Sequence, residues 1–462
     1  MLNKKILESI QQGAELDDHH EVVSDLLAAT PRVVVIIDDD PTGTQTVYNV
    51  PIVTDWSYAT LEYEVINSPV FFILTNSRSL QQSQAKELAI TLGLMLAEIA
   101  KEHRKKLVVI SRSDSTLRGH YPYEVDALLD GLGWKNSKQV LIPGFFEGGR
   151  YTFNDIHYLK EDNDFIPVAE TPFACDTTFG YAHSNLKEYI QEKYEGSIKA
   201  NEVLSISVQT LREAKPQEIQ DILIQHEAKH VIVNATSYAD LQVFAIACLT
   251  SEDNLLYRTA ASFVNAITGI TPKPLLTKQS ILNENQKSGG LVIVGSYVPK
   301  TTEQLKHLKD NNSKALFIKM KVSEILSGNQ NSTYIKKLVK IINNALAAKK
   351  DVVLFTSRKV HVGDTKEESL AILNKVSLGL ISLVRLLSLR PKYILSKGGI
   401  TSSDICVKAL GVRKALVLGQ ILKGVPVWQL DKDSKYPEMP FIVFPGNVGD
   451  KSDLYKLIKQ LE

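Results

Sequence analysis

The stretch that decides the fold is "VVVIIDDDPTGTQT", Val33–Thr46. Five β-forming residues, Val33–Ile37, read as a buried strand, because a strand covered on both faces is apolar without alternation. The run empties into Asp38, Asp39 and Asp40, then Pro41, Thr42 and Gly43. Adjacent carboxylates repel unless a cation, a set of donors or water takes up the charge. Two chemistries satisfy them: a nucleophilic, metal-binding aspartate pair, or a carboxylate cluster that grips the hydroxyls of a polyhydroxy substrate. In open α/β sheets the ligand crevice borders the carboxyl ends of strands, where this acidic turn would lie.

Outward from it, short apolar runs recur: Val70–Leu74, Leu107–Ile110, Val140–Ile142, His230–Val233, Leu291–Val294, Asp351–Phe355, Tyr393–Leu395 and Phe441–Phe444. Helix-period segments such as Gln84–Glu102 and Tyr334–Lys349 alternate with them. The pattern predicts an α/β protein with largely parallel sheets flanked by helices. At 462 residues the chain exceeds what one core usually supports. The segment Thr271–Gly290, with its prolines and closing glycine pair, marks a boundary and a natural hinge. The expected domains are therefore 1–277 and 278–462, with the active site in the cleft between them. The 147–185 region reads as irregular, a lid or loop excursion.

Composition narrows the classes. Basic and acidic side chains number 53 and 52, a net charge of +1, which gives no footprint for nucleic acid or an anionic membrane. Three scattered cysteines, Cys175, Cys248 and Cys406, suggest reduced thiols rather than disulfides or zinc. The first residues lack the apolar core of a signal peptide, and no apolar run is long enough to span a bilayer. A cytoplasmic location follows as an expectation.

Three other stretches could carry chemistry. "SRSDSTLRGH" sets Arg112 and Arg118 beside Asp114 and Ser115; guanidinium groups hold carboxylates while Asp and Ser hold hydroxyls. In the second half, "VGSYVPKTTEQ" places Gly295-Ser296 after a strand. "SKGGITSSD" places Gly398, Gly399, Ile400 and Thr401 after another, and "PGNVGD" places Gly446, Asn447 and Gly449 after a third. Backbone N–H groups at such turns, next to a helix start, suit phosphate. Neither GxxxxGK[ST] nor GxGxxG occurs. Asp38-x-Asp40-x-Thr42 also resembles the opening motif of haloacid-dehalogenase-like phosphatases. In that alternative Asp38 attacks phosphorus, Asp40 exchanges the proton, Mg²⁺ bridges, Thr75 or Ser77 assists and Gly449–Asp453 supplies acidic metal ligands.

These motifs together resemble the four-carbon acid sugar kinases, in order and over nearly all of the chain from about residue 31. Asp39-Asp40-Pro41-Thr42-Gly43, Asp114–Gly119, "PGFFEGGR" (Pro143–Arg150), Thr171–Asp176 and Arg258–Phe263 match the first half of that family. "GSYVPKTTEQ", "GGITSSD" and "PGNVGD" match the second. Asp38, Pro41, Thr44-Gln45 and Arg112 depart from its better-known members, as in a divergent branch. The resemblance implies ATP-dependent phosphorylation of a small sugar acid, with Mg²⁺ accompanying the nucleotide through unassigned ligands. Asp39 and Asp40 would be catalytic, and Thr42, Gly43, Arg112, Asp114, Ser115 and Arg118 would bind substrate. Ser296, Gly398–Thr401, Gly446, Asn447 and Gly449 would bind ATP. No nucleic-acid or membrane partner is expected; a homodimer is.

Overall fold

The computed structural model describes residues 2–271, 273–283, 286–327, 333–357 and 366–462. They fall into two compact units, Met1–Pro272 and Lys273–Glu462.

In the first unit the strands are β1 (Arg32–Asp38), β2 (Val50–Val53), β3 (Val70–Leu74), β4 (Lys106–Arg112), β5 (Lys138–Ile142), β6 (Arg150–Phe153), β7 (Ile156–Glu161), β8 (Asp164–Pro167), β9 (Leu204–Ile206), β10 (His230–Val233) and β11 (Leu255–Thr259). Eight of them run parallel in the order β2-β3-β1-β4-β11-β5-β10-β9. All seven residues of β1 are buried, which is why its sequence is apolar throughout. The core layer joins Val33, Val35, Ile37, Phe71, Ile73 and Val109 to helix residues Leu92, Leu96, Val125 and Leu128. Along the chain β1 leads to β2 and β3 on one side, and β4 then lies on the other. The carboxyl ends of β1 and β4 therefore flank a topological switch point, where an open α/β sheet parts to admit a ligand.

The expected irregular excursion at 147–185 is corrected over 150–167, which form a three-stranded antiparallel sheet, β6-β7-β8, while 171–185 are turns and bends. Its first turn uses Asn154 and Asp155, both left-handed (φ 51° and 64°), and Asp162 (φ 52°) lies in the second. Asn and Asp tolerate that conformation, so the residues that looked like loop are hairpin turns.

The second unit holds β12 (Leu291–Val294), β13 (Leu316–Met320), β14 (Val352–Thr356), β15 (Ile394–Lys397), β16 (Lys414–Leu422), β17 (Val425–Leu430) and β18 (Pro440–Phe444). Its order is β13-β14-β12-β15-β18-β17-β16, parallel as far as β18 and antiparallel beyond. Here β12 and β15 flank the switch point. Of the boundary segment, Pro272, Glu284 and Asn285 lie outside the described residues. The rest includes a single helical turn, Lys278–Ile281, and Leu276 N–H donates to Gln420 O at 2.7 Å.

Candidate active site

In the first unit, four neighbouring strands deliver polar residues to one edge. Asp38 ends β1, Arg112 ends β4 opposite it, and Thr259 ends β11 opposite Arg112. Just past β3, Thr75 N–H donates to Asp38 O at 2.9 Å, which brings the Ser77–Ser79 turn and Arg78 alongside.

The three aspartates have three different fates. Asp38 has no exposure; Arg112 Nη1 lies 3.3 Å from its Oδ1, and its Oδ2 has no partner. Gly43 closes over it: a Cβ there would lie 1.7 Å from Asp38 Oδ2. Burial, above all, pushes the Asp38 carboxyl up to about 7, with Asp39 and Asp40 adding and Arg112 opposing. Asp39 is also buried but heavily bonded. It accepts from Arg78 Nη2 (2.5 Å), Arg78 Nε (3.2 Å) and Ser113 Oγ (2.6 Å). Burial would raise it; the Arg78 and Arg258 guanidiniums and these bonds hold it below the usual carboxylate range. Asp40 is the most exposed of the three. Its Oδ1 accepts from Thr42 N–H (2.8 Å) and Thr42 Oγ1 (2.5 Å), and its Oδ2 from Arg78 Nη1 (3.4 Å).

The turn after β4 adds a second acidic centre. Asp114 Oδ2 accepts from Arg118 Nε at 2.8 Å and from the Thr116 hydroxyl, while its Oδ1 lies 4.0 Å from Arg78 Nη1. Although burial opposes it, Arg118 and Arg78 hold this carboxyl far below its ordinary value. Arg118 also reaches Asp176 (3.7 Å) and stacks on Phe173 (5.0 Å). Ser115 is buried and offers its carbonyl to His157 Nε2 at 2.8 Å. Gly119 (φ 127°) lets the turn pass within 2.7 Å, measured from a Cβ position, of Arg258 Nη2 and Ser113 Oγ.

Arg78, Ser113, Glu124, Arg258 and Asp176 complete this network, though the motif reading gave none of them a role. Arg258 binds Ser111 Oγ (2.8 Å), Ser113 Oγ (2.7 Å) and Glu124 Oε2 (3.2 Å), and Ser77 Oγ donates to Glu124 Oε1 at 2.5 Å. The sequence signals were position, for Arg78 just past an apolar strand, and motif, for Arg258 and Asp176 in the stretches that resemble the family.

In the second unit the three glycine turns converge, because β12, β15 and β18 are consecutive in the sheet. Ser296 N–H donates to Lys397 O (3.1 Å), and Gly398 N–H to Phe444 O (2.8 Å). A Cβ on Gly295 would come within 2.2 Å of Thr401 Oγ1, one on Gly398 within 2.9 Å of Ser296 Cβ, and one on Gly446 within 2.9 Å of Ser296 Oγ. Gly398 also sits at φ 120°, a conformation that L side chains rarely adopt. Ile400 is exposed, and Gly399–Ser403 forms a helix whose first N–H groups have no intrahelical acceptor. Thr301 Oγ1 donates to Gly446 O (3.0 Å), and Gln304 Nε2 to Val448 O (3.1 Å), pinning the turn that contains Gly449, half-buried, and Asn447, exposed.

Behind these turns lies Lys397, which the motif reading passed over. It is fully buried; its ammonium donates to Pro445 O at 2.6 Å and Gly446 O at 3.3 Å, and sits 3.7 Å from the Phe444 ring centre. Burial first, then Lys300, pulls its pKa down to about 7. Gly398 and Gly446 carry no Cβ where one would press on Ser296, and glycine turns of this kind suit a phosphate chain.

Among the described residues, Glu62, Glu102 and His103 place ligand atoms within metal-binding distance of one another. They lie where helices lead into β3 and β4, at the amino ends of the strands and away from the acidic turn. No described helix is long and apolar enough to cross a membrane.

Comparison with known proteins places both halves. Residues 34–267 match the family described as "Sugar-binding N-terminal domain" and residues 291–454 the one described as "Nucleotide-binding C-terminal domain". The chain belongs to the four-carbon acid sugar kinase family. A relative named D-erythronate kinase, from Heliobacterium modesticaldum, is 25% identical over 245 residues, 52% of this chain and 50% of that protein. The chain thus spans about half the length of the curated relative it matches. Two crystal structures share the fold. One, from Haemophilus influenzae, has a TM-score of 0.63 at 18% identity and covers 92% of this chain and 99% of that one. The other, from Salmonella typhimurium LT2, has a TM-score of 0.68 at 15% identity and covers 94% and 99%.

Proposed function

We propose that the protein transfers the γ-phosphoryl group of ATP to a hydroxyl of a small sugar acid of the four-carbon class. What carries the reading is the pairing, in one chain, of a guanidinium-braced acidic turn with a second unit whose three adjacent strands end in glycine turns. Phosphoryl transfer asks mainly for alignment and charge neutralisation, and the two sites divide that work. The first unit would hold the acceptor; the second would cradle the triphosphate on Ser296, Gly398–Thr401 and Gly446–Gly449. Mg²⁺ would come with the nucleotide and offset the charge of its phosphates.

Of the three aspartates, Asp40 suits the base. Asp39 is occupied by Arg78 and Ser113, whereas Asp40 combines exposure with a single long contact from Arg78. Thr42 would fix the Asp40 carboxylate so that Oδ2 faces the acceptor hydroxyl. The phosphatase alternative needs Asp38 as nucleophile. That carboxylate is sealed under Gly43 and paired with Arg112, and buried groups of this kind do not meet substrate.

The test is a coupled assay of ADP release with MgATP and a panel of three- to six-carbon sugar acids. Acid-dependent turnover on at least one member is expected. Phosphate release from sugar phosphates without ATP, combined with no transfer to any acid, would overturn the proposal.

A further inference from the structure

Five arginines gather around the acidic turns, and four already face a carboxylate. Arg78 binds Asp39 and Asp40, Arg112 binds Asp38, Arg118 binds Asp114 and Asp176, and Arg258 binds Glu124. Arg150 is the exception: among the described residues it makes no ion pair. Its one side-chain bond runs from Nη1 to Gly148 O, and its buried Nε has no acceptor.

Its position is built rather than incidental. Arg150 begins β6, and its backbone is tied to Phe145 in both directions: Arg150 N–H donates to Phe145 O (2.8 Å) and Phe145 N–H to Arg150 O (3.1 Å). Phe145 follows β5 by three residues, so the tie keeps Arg150 at the carboxyl edge of the sheet. Gly148 leaves the room: a Cβ there would lie 2.6 Å from Arg150 Nη1. Burial is the main influence on the Arg150 guanidinium and lowers its pKa; Asp114 is near enough to oppose and Arg118 near enough to add. Its charge is also felt by His157, which burial and then Arg150 hold neutral, near 4, against the bond to Ser115 O. A half-buried guanidinium with no protein carboxylate in ion-pair contact is an unfilled half of a bidentate pair.

We propose that Arg150 anchors the carboxylate of the acceptor, making the first unit selective for aldonates over uncharged polyols of the same length. This rests on reading that unit as the acceptor site. Arg112 and Arg118, expected from the motif to hold the carboxylate or the transferring phosphoryl group, are already engaged by Asp38, Asp114 and Asp176. The hydroxyls of the bound acid then fall to Asp40 and its neighbours.

The experiment measures direct binding by calorimetry and ATP-dependent transfer on the same preparations. Wild type, Arg150→Met and Arg150→Lys are each titrated with a four-carbon aldonate, the matching alditol and the matching sugar phosphate. Arg150→Met should weaken aldonate binding about 100-fold, with nucleotide affinity unchanged and the weak alditol affinity unmoved. Arg150→Lys should recover part of the loss, which also holds if the Met variant folds poorly. Aldonate affinity within threefold of wild type in Arg150→Met, no recovery in Arg150→Lys, or wild type preferring the sugar phosphate or alditol, would overturn the anchor. Transfer that survives intact in Arg150→Met sinks the anchor alone. Aldonate binding that depends on Arg150, without transfer from ATP, supports the anchor and sinks the kinase reading.

Discussion

The two units meet the same topological problem with opposite materials. Each opens a crevice at a switch point, β1/β4 in the first and β12/β15 in the second. The first lines it with side chains: four aspartates and two arginines bonded into one network around Asp39 and Asp114. The second strips side chains away, so that Gly295, Gly398 and Gly446 let three turns pack where any Cβ would collide. Sparse, oriented hydroxyls need individually aimed partners. A phosphate chain needs many N–H groups and little bulk. Under the proposed function the contrast separates acceptor chemistry from donor chemistry, and it can be broken by substitutions that ought to affect one and spare the other.

The largest effect should come from Asp40→Asn. If Asp40 takes the acceptor proton, kcat falls about 10²–10⁴-fold, while nucleotide affinity, measured by calorimetry, stays at its wild-type value. Loss of nucleotide binding instead would mean that the acidic turn serves the donor. The mirror experiment is Gly398→Ala. The conformation of Gly398, φ 120° and ψ 135°, costs an L residue about 1–3 kcal/mol, and the added Cβ would press on Ser296. Nucleotide affinity should drop about tenfold or more, with aldonate affinity unchanged. Equal losses of both ligands would erase the distinction.

How much of this was legible in the sequence follows the same divide. Asp39–Gly43, Asp114–Gly119 and the glycine turns are local: each works within a few residues, so spacing reveals it. The alternation of apolar runs likewise marked β1, β3, β4 and β12 closely. Partnerships between strands were not legible. Arg78 and Asp39 lie 39 positions apart and Arg258 and Ser113 145 apart; only the order β3-β1-β4-β11 brings them together. Arg112 looked like a substrate ligand because its buried partner, Asp38, is assigned by strand register. Lys397 was hidden among glycines, since nothing in "SKGGI" says that its ammonium turns inward.

A third prediction concerns Asp38. Folding raises its pKa from 3.8 to about 7, so near neutrality the folded chain holds a proton that the unfolded chain releases. The stability this lends is whole below about pH 4 and disappears as pH rises to about 7. Asp38→Asn keeps the neutral form throughout. Its stability relative to wild type should therefore grow by about 2–4 kcal/mol between those limits, read from urea midpoints at each pH. A difference that does not change with pH would show that Asp38 is ionised in the fold, held by Arg112 alone.

Lys397 should give a smaller effect of opposite slope. Folding lowers its pKa from 10.5 to about 7, so between those values the unfolded chain binds the extra proton and stability rises with pH. Below pH 7 the buried ammonium is charged in both states, and its desolvation is offset by the carbonyls of Pro445 and Gly446. Lys397→Met removes the titration and leaves those carbonyls without their donor. Wild type should gain about 1–2 kcal/mol over the variant from pH 7 to pH 9, less than the full linkage because the glycine turns can relax toward water. A buried acid that weakens its unit as pH rises would then face a buried base that strengthens its own. A parallel pH profile for wild type and Lys397→Met would instead mean that the ammonium stays charged, bound to the donor turn as a permanent cation. In that case the second unit would carry a fixed positive charge behind its glycines, and the contrast between side-chain and backbone recognition would have to be redrawn.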